Sequence, residues 1–111
     1  MPQTATSIKG HTVRWKWTEG PTAGKVYDHT FGADGSVVFR EVKDGVPQGN
    51  ASRAKQSGTF ALSSDVEIVS YLSDHGFTLT VAMNYDSGKM YGFASNEKQF
   101  WPVSGTFEIV K

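Results

Sequence analysis

The chain has 111 residues, eleven basic and eleven acidic side chains that cancel, and no cysteine. That length holds one domain, residues 1–111, with enough chain to bury most of the apolar surface its unfolded form would expose. Balanced charge without a run of one sign excludes the footprint needed for a phosphate backbone or an anionic membrane, and the missing cysteine excludes disulfides, thiolate catalysis and thiolate metal sites.

The opening residues, Met1 to Gly10, lack the apolar run of a signal peptide, and no stretch approaches the ~20 apolar residues of a membrane helix. The expected setting is soluble and cytoplasmic. The first predicted strand, 11–18, places Val13, Trp15 and Trp17 on one face and Arg14 and Lys16 on the other, because successive strand side chains point to opposite sides. The two charges make the tryptophan face the inward one. A second strand over 25–32 sets Tyr27, His29 and Phe31 on a common face, and a third covers 36–43. Further strands are expected over 54–62, 65–73, 76–84, 88–95 and 104–110. In 76–84 the alternation is clear: Phe77, Leu79, Val81 and Met83 take one face, with small or polar residues on the other.

Turn signals separate these segments at Ala33-Asp34-Gly35, Asp44-Gly45, Asp74-His75-Gly76 and Asp86-Ser87-Gly88, where aspartate and glycine suit tight hairpins. The candidates for a helical turn are Ala51–Lys55 and Ser95–Gln99. The longest irregular pieces are Pro21–Gly24, Gly45–Ser52 and Asn96–Pro102; the last carries Phe100-Trp101-Pro102, placed to act as a lid or to dock on a second subunit. Eight short strands on hairpin-length loops predict an all-β meander. Closing it on itself removes both exposed edges, giving a small eight-stranded antiparallel up-and-down barrel; a two-sheet sandwich is the alternative.

Chemistry is sparse. His11, His29 and His75 fall at no recognised ligand spacing, so neither a metal nor another cofactor is expected. No serine stands in a Gly-x-Ser-x-Gly elbow. The candidate bases are His29 and Glu41, with Asp28 nearby and Arg40 or Arg53 as anion partner. An imidazole among aromatics is desolvated and held neutral, which suits a base, although a single strand histidine is more often a satisfied polar residue. Trp15, Trp17, Tyr27, His29, Phe39, Tyr71, Leu79, Val81 and Phe93 form the expected wall of an interior site for one compact apolar or aromatic molecule.

The segments Trp15-Lys16-Trp17-Thr18-Glu19-Gly20, Tyr27 to Gly35, Asp65 to Leu72 and Gly76 to Val81 resemble the MoaF-like family across nearly the whole chain. The resemblance implies a calycin/lipocalin-like barrel, distantly similar to the phenolic acid decarboxylases. Those relatives grip a carboxylate with two tyrosines on the first strand and use an arginine and a glutamate from later strands. Trp15 and Trp17 stand at the tyrosine positions here, Ser73 at the glutamate and Arg53 near the arginine. An indole offers no phenolic proton and a serine no carboxylate base, so the resemblance carries the fold and not the decarboxylase mechanism.

Three readings follow. The first is a binding barrel for a small apolar or aromatic molecule. The second is a lyase or isomerase acting on a small aromatic or carboxylated metabolite, with His29 or Glu41 as base. The third is a homodimeric structural module with a filled core. No nucleic-acid or membrane partner is expected.

Overall fold

Leu79, Val81 and Met83 are buried while Thr78, Thr80 and Ala82 between them are half-exposed, the period of two that a strand with one wet face imposes. The same pattern repeats along the neighbouring segment, where Glu67, Val69, Tyr71 and Ser73 are buried. The computed structural model describes residues 7–111. It contains β1 (Thr12–Glu19), β2 (Val26–Phe31), β3 (Val37–Lys43), β4 (Val46–Pro47), β5 (Ser52–Ala61), β6 (Val66–Ser73), β7 (Thr78–Asn84), β8 (Lys89–Ser95) and β9 (Phe100–Ile109), with no helix among the described residues.

Each strand pairs antiparallel with its neighbours in the order β2-β1-β9-β8-β7-β6-β5-β3, and a β2–β3 pairing closes the ring. The two-residue β4 lies outside that ring, folded back on Val42 and Lys43. The molecule is therefore a closed eight-stranded up-and-down barrel, and closure leaves the meander no free outer edge strand to guard. The seams are unequal. β7 and β8 pair over seven positions, whereas β3 and β5 pair over three, Val37 with Ala54, Val38 with Arg53 and Phe39 with Ser52.

Because neighbouring strands run in opposite directions, the connections β1–β2, β3–β5, β6–β7 and β8–β9 all emerge at one end. This end carries the irregular pieces around Pro21, Val46 and Asn96. At the other end the chain before β1 folds inward and seals the barrel. Ile8 is fully buried there with Val13, Met83 and Met90, and Phe31, Tyr85 and Phe107 complete the plug. The Glu67 carboxylate, 3 % exposed, fixes it: Oε1 accepts the Ile8 amide at 2.9 Å and the Tyr85 hydroxyl at 2.7 Å, and Oε2 accepts the Ser7 hydroxyl at 3.0 Å.

Two expected local structures are corrected. The last strand starts at Phe100 rather than 104, so Phe100-Trp101-Pro102 is paired sheet and not a loop over the mouth: Trp101 lies opposite Ala94 and Pro102 opposite Phe93. Of the two helical turns, residues 52–55 belong to β5. Residues 96–99 form a tight turn in which Asn96 Oδ1 accepts the Lys98 and Gln99 amides.

Candidate functional site

Inward-facing side chains near the open end do not fill the barrel, and a cavity of about 210 Å³ remains. Trp17 of β1, Tyr27 and His29 of β2 and Phe39 of β3 form one wall. Tyr71 and Ser73 of β6, Leu79 of β7, Ala94 of β8 and Val103 of β9 form the other, while Pro21, Thr22 and Phe77 reach in from the end loops. The surface is overwhelmingly apolar and aromatic. Trp15, fully buried, lies beneath it and meets Trp17 edge to face with ring centroids 5.6 Å apart.

The polar feature of the cavity is a histidine–tyrosine pair. His29 is 2 % exposed, stacks on Phe39 at 4.9 Å with the rings 9° from parallel, and lies 4.3 Å from the Trp15 ring. Its Nε2 is 2.9 Å from the Tyr71 hydroxyl, which donates when the imidazole proton sits on Nδ1 and accepts when it sits on Nε2. Burial pushes the His29 pKa down to about 3, since a charged imidazolium would lose its hydration without gaining a carboxylate. The Tyr27 backbone offsets part of that shift but falls short of hydrogen-bond geometry, leaving Nδ1 without a partner. Burial also pushes the Tyr71 phenol well above the usual tyrosine range. Both members are neutral at pH 7, and the cavity presents an uncharged floor.

Of the nine expected wall residues, the structure brings Trp17, Tyr27, His29, Phe39, Tyr71 and Leu79 together around the cavity. Trp15 and Val81 face inward but are fully buried in the packed layer below. Phe93 is a correction: it is 54 % exposed on the outer wall. Along β8 the inward positions are Met90, Gly92 and Ala94. There is no room for a larger residue at Gly92, where a Cβ would sit 1.9 Å from the Thr80 carbonyl oxygen. The aromatic alternation Tyr91, Phe93 suggested the opposite facing. Pro21, Thr22, Ser73, Phe77, Ala94 and Val103 were missed as lining. Ser73 and Phe77 share the strand parity of Tyr71 and Leu79, Ala94 follows only from the facing of β8 and Val103 from the early start of the last strand, and Pro21 and Thr22 only from the loop's place at the open end.

The proposed acid–base grouping is not assembled. Glu41 lies opposite Tyr27, half-exposed and outside the cavity lining. Arg40 lies opposite Asp28, on the register position facing away from the interior, and Asp28 is itself bound by Arg14 at 2.8 Å. Arg53 is exposed beside Val38. Neither guanidinium shares a face with His29. No group of three or more histidine, aspartate or glutamate side chains suited to a metal occurs among the described residues.

Fold and cavity together define a small closed antiparallel barrel with an apolar, half-open end chamber. No family model matches the chain, and no curated protein matches it. In fold it is similar to a solved structure from Burkholderia vietnamiensis described as a "putative beta-lactamase", with a TM-score of 0.71 and 10% identity over 97% of this chain and 100% of that one. At that identity the likeness establishes the shared fold alone.

Proposed function

We propose that this barrel binds one compact, uncharged, largely apolar or aromatic small molecule in its end chamber. The observation that carries the reading is an aromatic cavity whose buried polar pair, His29 and Tyr71, is neutral. A volume of about 210 Å³ suits a single substituted ring, given that an apolar cavity of roughly 150 Å³ takes up benzene. A bound anion would lose its hydration without meeting a cation, so charged ligands are disfavoured. One hydrogen-bonding group on the ligand, directed at the Tyr71 hydroxyl, would set its orientation.

Binding is favoured over lyase or isomerase chemistry. A histidine with a pKa of about 3 is a weak base at neutral pH, and its expected anion partners lie on the outer wall. The Ser73 hydroxyl accepts the His75 and Phe77 amides, which commits it to the turn rather than to nucleophilic attack. Nothing in the described cavity supports carrying a lactamase activity over from the structural neighbour. Membership of the MoaF-like barrels and a cytoplasmic setting complete the proposal; both rest on the sequence, and no described helix is long and apolar enough to cross a membrane.

A thermal-shift series with matched neutral and ionised ligands, such as simple phenols, aromatic aldehydes and benzoates, tests it. Neutral single-ring compounds should raise the melting temperature in a concentration-dependent manner, because they bind only the folded state. Ala94→Phe, which fills the chamber from β8, should abolish the shift. No stabilisation by any neutral compound, or stabilisation that survives Ala94→Phe, rejects the reading.

A further inference from the structure

The barrel carries its charge on one side. Outward positions of β1 to β3 hold Arg14, Lys16, Asp28 and Arg40, whereas the outward positions of β6 to β9 hold no charged side chain between the turns of the open end and Lys89 and Glu108 at the closed rim. That uncharged wall is not inert. Tyr91, Phe93 and Phe100 stand out of it at 60, 54 and 69 % exposure, with the Phe93 and Phe100 rings 6.0 Å apart. Ile68 and Ala82 extend the apolar surface across β6 and β7, and the hydroxyls between them satisfy each other, Ser70 with Thr80 at 2.8 Å. Large rings on the wet side of a sheet are costly to leave in water, and a continuous patch of this kind marks a contact surface.

We propose that this wall is the interface of a homodimer in which two barrels pack side by side through β6–β9. Size supports a second copy: four strands about 4.8 Å apart and some seven residues long cover roughly 450 Å² in projection. The rings standing off that footprint bring the accessible area toward the ~800 Å² that each partner contributes to a stable interface. Charge supports it too. Any partner must be charge-free over the whole footprint or bury an unpaired ion, and a two-fold axis through the wall sets the same uncharged surface against itself. The wall is the side of the barrel and the chamber opens at its end, so pairing leaves the mouth free. The inference stands independently of what the chamber binds.

Sedimentation velocity on the full chain across the micromolar range tests it. The expected result is a concentration-dependent monomer–dimer equilibrium. Phe93→Glu should hold the chain monomeric at every concentration without changing the thermal midpoint of the dilute protein, and Tyr91→Lys should do the same if the first variant folds poorly. Thr30→Lys, at an exposed outward position of β2 across the barrel from this wall, should leave the dimer intact. A monomer at the highest concentration, a dimer that survives both wall substitutions, or a monomer that instead binds neutral phosphatidylcholine vesicles through this wall would overturn the proposal.

Discussion

In the unfolded chain His29 takes up a proton near pH 6.5, whereas in the folded barrel burial holds it neutral down to about pH 3. Between those values the unfolded state binds the extra proton, so this contribution to stability is complete above pH 6.5 and is lost as the pH falls toward 3. The linked free energy is on the order of 5 kcal/mol, comparable with the whole stability of a small domain. Urea denaturation at a series of pH values should therefore show the midpoint falling through this window. His29→Phe, which preserves the stacking on Phe39, should flatten the fall relative to wild type; an unchanged slope in the variant would refute the assignment. At this scale the sequence was informative about neighbours: Tyr27, His29 and Phe31 alternate inward as their spacing requires. It placed Tyr71 in the same wall but not against the imidazole, because Tyr71 lies forty-two positions away and reaches His29 only through the position of β6 in the closed ring.

Glu67 shows what an element does with a residue that its pattern should forbid. It occupies an inward position of β6 between Val69 and the closed end, where a buried carboxyl group is tolerated because three donors converge on it. The carboxylate in turn fastens the segment Ser7–Gly10 over the end of the barrel, and burial together with the bond to Glu67 pushes the Tyr85 phenol up. Glu67→Ala should cost about 2–4 kcal/mol, leaving the Tyr85 hydroxyl and the Ile8 amide buried and unmet. Glu67→Gln should cost less, since one oxygen still accepts and Ser7 can turn to accept from the new amide. Chemical denaturation gives both values, and hydrogen exchange at the Ile8 amide should quicken most in Glu67→Ala. The strands were legible because β-rich runs between Asp-Gly turns leave few other choices. The facing of β8 was not, because two exposed aromatics alternate just as a buried pair would.

Closure governs the molecule as a whole. The ring is only as strong as its shortest seam, β3–β5, with three paired positions against seven at β5–β6. Amides of Val37 to Phe39 and Ser52 to Ala54 that bond across this seam should therefore exchange faster than those of β6–β8, through local opening rather than global unfolding. The chamber straddles the same seam, with Phe39 on one side and Tyr71 on the other at 5.4 Å, so a bound ligand should slow exchange there first. Uniform protection around the barrel would contradict both statements. The sequence by itself determined the eight ring strands in outline, the hairpin turns between most of them, the absence of thiol chemistry and the inward direction of the first two aromatic ribbons, because alternation and turn preference act between residues close along the chain. Only the tertiary structure decided between the closed ring and a two-sheet sandwich, that one end is plugged and the other open, that His29 meets Tyr71, and that Tyr91, Phe93 and Phe100 gather on one uncharged wall. Those outcomes depend on which strands stand opposite one another, and that is set by closure of the ring, not by any local pattern.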